Sequence, residues 1–413
     1  MKKKLIYFAA VALVLAACSS EEPIAPPMVE NDAMGANPYR VSLTDALKNA
    51  DALLGELGEG ETTRSAERKV ESVEYYSRPG TRVLGGDTLL YLVNYADDAG
   101  FALLSADSRL RPIYAISDEG SLSLADTTYN EGLAIFARGV DAEIETSLTI
   151  PNDTAIFIPP TIPGVGPQVQ TVIDRVQPML NTYQRNWNQD APFNRYCFTS
   201  SGQEAKVGCT AVAAAQIMCY HKWPQQYGGY TFDWDQINSG NIDMLARFLK
   251  LLGNRENLNV YYGVDSSPAY HTHYRRTFDN MGYTYDSDFR DFNEQEVCAF
   301  MKGTHSGGYV AGPVLVRGAY PNAAGHAWVL DGYLQYALQN IPGIATGLGA
   351  DDILYHCIWG WGDENNGYFY WAKTQQFEND RIQTDEGDCP PNTAWNFSYF
   401  FDIIFMAGFM PIN

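Results

Sequence analysis

Cys209 heads the run Gly208-Cys209-Thr210-Ala211-Val212-Ala213-Ala214-Ala215-Gln216-Ile217-Met218, which meets no helix breaker until Pro224. Its alanines favour a helix that can pack closely against a neighbour. A cysteine at the start of such a helix faces unsatisfied amides and the positive end of the dipole, which stabilise a thiolate. The thiolate is the nucleophilic form. A cysteine alone is more often a small buried core residue, so a partner base has to be found. His326 supplies one, in Ala324-Gly325-His326-Ala327-Trp328-Val329-Leu330-Asp331-Gly332. It opens an apolar strand expected to end at the Asp331-Gly332 turn, and Gly325 leaves room for a chain to pass beside the imidazole. Thiol and imidazole together predict nucleophilic acyl chemistry, which also needs donors for a developing oxyanion. The Cys209 N–H is one. Gln189, in Trp187-Asn188-Gln189-Asp190-Ala191-Pro192-Phe193-Asn194, and Gln203 are both candidates for the second, and spacing does not choose between them.

A cysteine opening a helix, with a histidine more than a hundred residues later opening a strand, is the order used by papain-like proteases. The other histidines are His221, His271, His273, His305 and His356. Each is expected in a surface or core role. His271 and His273 could ligate a metal from one strand, but no carboxylate or cysteine at matching spacing completes a site. No metal and no cofactor is expected.

The elements that must position these groups lie in a chain of 413 residues, long enough for two domains. Val41 to Leu57 carries apolar residues at helical spacing, with Ser42 or Thr44 as cap. Leu89 to Ala106 reads as a hairpin turning at Asp97-Asp98-Ala99-Gly100, and Arg111 to Ile116 as a further strand. One helix and a small sheet predict an α+β module over 39–149. Residues 150–169 carry Pro151, Pro159, Pro160, Pro163 and Pro167, so this stretch is expected to be an exposed, cleavable linker. Residues 170–413 follow as a second domain, helical in its first half and strand-rich after it.

The formal charge of −21 repels phosphate backbones and excludes nucleic acid as an expected partner. Lys2, Lys3 and Lys4 precede an apolar stretch, Leu5 to Ala17, too short for a comfortable bilayer crossing. Residues 1–17 thus read as a signal peptide. Leu15-Ala16-Ala17-Cys18 is similar to the lipobox of bacterial lipoproteins, which implies lipidation at Cys18, a tether over 18–38 and attachment to membrane through that lipid only. An exported lipoprotein of the outer membrane or cell surface is expected, with extracellular release of the mature domain. Of the seven cysteines, none falls in a C-x-x-C pair. Disulfides are permitted outside the cytoplasm but not demanded.

At the residues quoted above the chain resembles the streptopain family of cysteine peptidases. Trp187-Asn188-Gln189 through Asn194 is similar to the family's N-Q-x-x-P-[YF]-N segment, and Gly208-Cys209 through Tyr220-His221-Lys222-Trp223-Pro224 to its nucleophile helix. Tyr262-Gly263 with Ser266 and Ser267 resembles a substrate-side loop. Gly325-His326-Ala327 through Gly332 matches the histidine strand, and Trp359-Gly360-Trp361-Gly362 through Gly367-Tyr368-Phe369 the W-G-W-G block. The stretch Gly100-Phe101-Ala102-Leu103-Leu104-Ser105-Ala106-Asp107 resembles part of the family's inhibitory pro-domain. The resemblance implies an α+β fold, a papain-like peptidase domain behind a small α+β pro-domain, acting on protein or peptide substrates after the pro-domain is removed. It implies Cys209 as nucleophile, His326 as base and then acid, and Gln189 as oxyanion donor. Trp359 and Trp361 would wall the site, and Gly325 and Ser267 would contact substrate backbone. One departure stands out: the family usually has Asn immediately before W-G-W-G, and here that residue is Ile358. The departure motivates a rival reading, an impaired relative acting as a binding or inhibitory lipoprotein. A second rival is another Cys/His enzyme, an amidase or acyl transferase. A glycan-binding lipoprotein would suit the aromatic content but leaves the Cys/Gln/His order unexplained.

Overall fold

The expected first helix is α1 (Leu43–Leu57), and Ser42 fixes its start by accepting the Asp45 N–H at 3.1 Å. The computed structural model describes residues 37, 39–57, 68–83, 87–149, 167–270, 272–285, 292–305, 310–318, 325–338, 351–363, 365–371, 402–404 and 406–407. The signal peptide, Cys18 and most of the tether therefore lie outside the described residues, as do residues 150–166 of the linker, His271 and Cys389.

Strands β1 (Val70–Arg78), β2 (Thr81–Arg82), β3 (Leu90–Tyr95), β4 (Phe101–Ser105) and β5 (Ile113–Ser117) form an antiparallel ladder in the order β2-β1-β3-β4-β5. The β3–β4 hairpin turns where expected, with Asp97 and Asp98 at positive φ. The N-terminal module holds more than one helix, contrary to expectation: α2 (Glu131–Thr149) lays Leu133, Phe136, Val140 and Ile144 into the core. Those residues recur every three or four positions, the signature of an amphipathic helix.

Helices dominate the next stretch, in α3 (Thr182–Arg185), α4 (Cys209–His221), α5 (Trp234–Asn238), α6 (Ile242–Leu252), α7 (Thr272–Asn280) and α8 (Glu294–Lys302). Strand β6 (Val169–Val176) precedes them, and two short pairs, β7 (Gln226–Tyr227) with β8 (Tyr230–Thr231) and β9 (Thr284–Tyr285) with β15 (Met406–Ala407), lie apart. The remaining strands are β10 (Val314–Gly318), β11 (His326–Leu338), β12 (Asp351–Ile358), β13 (Gly367–Tyr370) and β14 (Asp402–Ile404). They run β14-β10-β11-β12-β13 and then continue directly into β5, through the pairs Tyr368↔Ile116 and Phe369↔Ala115. One 11-stranded sheet thus spans both ends of the chain, with β6 paired to β11.

Alternation along β11 divides the core in two. Ala327 and Val329 face helices α4 to α7, whereas Trp328 and Leu330 face a second core shared with α1, α2 and β3–β5. The strand does not end at Asp331-Gly332 as expected. It passes through that pair with an irregular register and continues to Leu338. The Asp331 carboxylate is buried, taking the His356 Nδ1 at 2.6 Å and the Leu180 N–H at 3.0 Å. A Cβ at Gly332 would lie 2.7 Å from the Val176 carbonyl, so glycine here admits β6 and does not make a turn.

Helix α4 is buried from Thr210 to Cys219 and stops at Lys222, which adopts the left-handed C-cap. His221, in its last turn, is only partly covered by area, yet its Nε2 is buried and makes no hydrogen bond among the described residues. Burial pushes its pKa down to about 4. A histidine depressed in this way adds stability that is whole above its unfolded value of about 6.5 and is lost as the pH falls towards the folded value. We expect a slope of about 1.4 kcal/mol per pH unit between those limits from this group. Urea titrations of wild type and His221→Phe should diverge there; parallel curves would remove His221 from the acid response.

Candidate active site

Helix α4 begins at Cys209 itself, and Gly208 turns the chain into it at φ +95°. A Cβ on Gly208 would sit 2.5 Å from the Ser267 carbonyl, so the approach of the 263–267 loop depends on glycine at that position. Across from the half-buried thiol, strand β11 presents His326, buried to 1% exposure. Burial alone would lower the pKa of this imidazole. The Cys209 thiolate, acting by charge and as a hydrogen-bond partner, outweighs that together with Glu131 and the Trp359 carbonyl, and the pKa is raised. Nδ1 still makes no well-aligned hydrogen bond among the described residues, so the thiol contact is close but loose. Looseness of this kind is common before substrate tightens a catalytic pair.

The imidazole is oriented from its other side. Nε2 lies 2.8 Å from the Trp359 carbonyl oxygen. A carbonyl can only accept, so Nε2 carries a proton and Nδ1 is the nitrogen left to exchange one with the thiol. Ile358 is fully buried in the helix-side core and takes no part. The acceptor that an asparagine side chain could have offered there is supplied by the main chain one residue later. Trp359 is pinned in turn: its N–H donates to Asn366 Oδ1 at 3.1 Å and its indole Nε1 to the Asn365 carbonyl at 2.8 Å.

Gln189 and Gln203 separate clearly. Gln189 is buried, and its carbonyl takes the Val207 N–H at 2.9 Å, which ties its segment beside the approach to Cys209. Gln203 is exposed in a turn, where its Oε1 accepts from Ser201. Ser267 is buried, with its Oγ spent on the Gly263 N–H (3.1 Å) and carbonyl (3.2 Å). Its side chain therefore holds the loop, and its main chain is what faces Gly208. Gly325 is exposed directly ahead of His326. Among the described residues no cluster of His, Cys, Asp or Glu could hold a metal ion, and His273 Nδ1 pairs with the Leu258 carbonyl at 2.8 Å.

The resemblance implied a pro-domain over the site but not which of its residues would sit on the pair. The start of α2 comes down on it. Glu131 Oε2 lies 3.5 Å from His326 Nδ1 and takes the Trp361 indole N–H at 3.2 Å. Tyr129 packs edge-on against the Trp361 ring, 6.1 Å between centroids. A Cβ on Gly132 would lie 2.4 Å from Trp359 Cε3 and 2.8 Å from His326 Cδ2. Asn365 accepts the Ser123 N–H and donates to Asp126 Oδ2, both at 2.9 Å. The amphipathic period of α2 was readable in the sequence; its seat on the imidazole was not.

The chemistry served by this geometry is that of a cysteine peptidase whose own N-terminal segment covers the reacting groups. Comparison with known proteins carries this further. Residues 187–247 match the Peptidase C10 family and residues 39–144 match the Spi protease inhibitor. The chain thus carries a segment similar to the C10 peptidases behind a segment similar to the Spi inhibitor. It is similar to the streptopain of Streptococcus pyogenes, 25% identical over 334 residues that span 69% of this chain and 75% of that one. It is also similar to the thiol protease/hemagglutinin PrtT of Porphyromonas gingivalis, 25% identical over 325 residues. That match covers 69% of this chain but only 34% of PrtT. Among solved structures it is similar to a Prevotella intermedia prointerpain A fragment, at 19% identity and a TM-score of 0.48, covering 72% of this chain and 91% of that one.

Proposed function

We propose that the chain is a secreted cysteine endopeptidase zymogen. The observation that carries this is the Cys209–His326 pair, with Nε2 held by the Trp359 carbonyl and the start of α2 seated on top. Once α2 lifts, the Cys209 thiolate adds to a peptide carbonyl carbon. The resulting oxyanion is received by the Cys209 N–H and the Gln189 side-chain amide. His326 then gives its Nδ1 proton to the departing amine, which leaves an acyl-enzyme. Water adds next: His326 takes its proton, hydroxide joins the acyl carbon, and the free acid and thiolate are restored. Trp359 and Trp361 shield the imidazole from solvent.

The rival reading of an impaired binding protein rested on Ile358. The Trp359 carbonyl supports the active reading, because it meets the orienting need that Ile358 leaves unmet. Iodoacetamide or an epoxide peptide probe tests it. After cleavage in the linker, Cys209 is expected to label selectively, Cys209→Ala to abolish labelling, and casein to be cut. Labelling without peptide hydrolysis would point to an amidase or acyl transferase instead, and no labelling to the binding protein. Cleavage between roughly Ser147 and Gln170 is expected to be self-inflicted, so an unchanged N-terminal sequence in the Cys209→Ala protein would refute autocatalysis.

Export as a lipoprotein belongs to the same proposal and is supported by Lys2 to Cys18. Mass spectrometry of the cell-derived protein should find a lipidated N-terminal Cys18 and no lipid in Cys18→Ser.

A further inference from the structure

Far along the sheet from the thiol, β12 carries a carboxylate that the proposed chemistry does not use. Asp352 is buried, and the ligand it holds comes from the inhibitor segment. Arg111, 5% exposed, reaches it through Nη1 and places Nε 2.7 Å from Glu143 Oε1 on α2. The Arg111 guanidinium lies over the Tyr370 ring, 3.9 Å from its centroid, and Tyr336 donates its hydroxyl to Asp352 Oδ2 at 3.4 Å. The register pairs Tyr336 with Asp352 and Leu354 with Tyr370, so the carboxylate and both rings share one face of the sheet. Arg111 and Glu143 come from the inhibitor segment, whereas Asp352, Tyr336 and Tyr370 are peptidase residues.

The arrangement is selective. A flat guanidinium can stack on an aromatic ring while donating in plane to a carboxylate, and an ammonium cannot do both. Arg111 also stands just ahead of β5, whose Ala115 and Ile116 complete the sheet beside Phe369 and Tyr368. When the inhibitor segment leaves, the edge of β13 loses β5 and the Asp352 carboxylate loses Arg111 while keeping the Tyr336 hydroxyl. The carboxylate so uncovered, flanked by the Tyr336 hydroxyl and the Tyr370 ring, favours a cation that can pair with it and stack on that ring.

We propose that Asp352, Tyr336 and Tyr370 form a guanidinium socket, filled by Arg111 in the precursor and open in the processed peptidase to an arginine on an extended segment. The inference rests on the zymogen reading, since the socket opens only when the inhibitor segment departs. The arginine can come from the returning segment itself or from an arginine-bearing strand of another protein.

The test uses the full chain cut within 150–166, separated from its N-terminal segment and alkylated at Cys209 with iodoacetamide, the uptake being read by mass. The probe is a fluorescent peptide with the sequence Leu110–Asp118, compared with one carrying citrulline in place of the arginine. The arginine peptide should bind the processed protein and not the uncut chain. The citrulline peptide, and the arginine peptide on Asp352→Asn, should bind about tenfold more weakly or worse, while Asp352→Asn alkylates at Cys209 at the wild-type rate. A scrambled peptide that keeps arginine ahead of an apolar run assigns the source: competition means that any such strand is accepted, and its absence reserves the socket for the returning segment. Equal binding of the arginine and citrulline peptides overturns the proposal. So does absent binding, or an N-terminal segment that stays bound after the cut. Failure of Cys209 to alkylate would sink the peptidase reading, with the peptide comparison still deciding the socket. Should Asp352→Asn fail to fold, the citrulline comparison decides alone.

Discussion

An uncut precursor carrying Gly132→Val is expected to label at Cys209 about a hundredfold faster than the wild-type precursor, near the rate of the processed enzyme. The reason is contact and not backbone. Gly132 lies inside α2, where valine adopts the helical conformation at no propensity cost relative to glycine. Its Cβ, however, would meet Trp359 at 2.4 Å and His326 at 2.8 Å, closer than packed carbons come. Neither ring can retreat easily. The Trp359 indole is held by the Asn365 carbonyl, and the His326 ring is fixed through Nε2. The start of α2 has to lift, taking Glu131 off the imidazole and Tyr129 off Trp361. Gly55→Val is the control, because nothing lies within 4 Å of that position in α1. A Gly132→Val precursor that labels no faster than wild type would mean that latency does not reside in this contact.

In processed protein, His326→Ala is expected to lower peptide hydrolysis by about 10³-fold or more. Two losses combine there. The thiolate forfeits the imidazolium beside it, and the departing amine forfeits its proton donor. Iodoacetamide labelling should fall with hydrolysis, since both need thiolate. Gln189→Ala offers the contrast. If its amide receives the oxyanion, kcat should drop by about 10²–10³-fold while labelling, which forms no oxyanion, stays near wild type. Labelling lost in both variants would indicate that Gln189 holds the site together and does not act on substrate.

Much of the arrangement could be read in the sequence because it depends on local rules. The helix beginning at Cys209 follows from alanines bounded by Gly208 and Pro224, and the β3–β4 hairpin follows from its two acidic residues and Gly100. The Asp331-Gly332 pair was read as a turn because that dipeptide ordinarily is one; a buried hydrogen bond with His356 and the passage of β6 overrode the local preference. Helix α2 was missed although its period was present. Its seat on His326 and the joining of β5 to β13 could not have been read, since both pair residues more than a hundred positions apart and no local pattern encodes such a meeting. The acceptor for His326 was also out of reach, because every residue has a carbonyl and only the fold decides which one points at the ring.

That last feature bears on how the site could be lost. An orienting group made of side-chain atoms can be deleted by one codon change, but the oxygen at position 359 belongs to the polypeptide whatever residue is encoded there. Scanning mutagenesis will therefore not report it directly. Its influence will surface only in variants that shift the strand end carrying it, such as Asn366→Ala, which withdraws the acceptor of the Trp359 N–H.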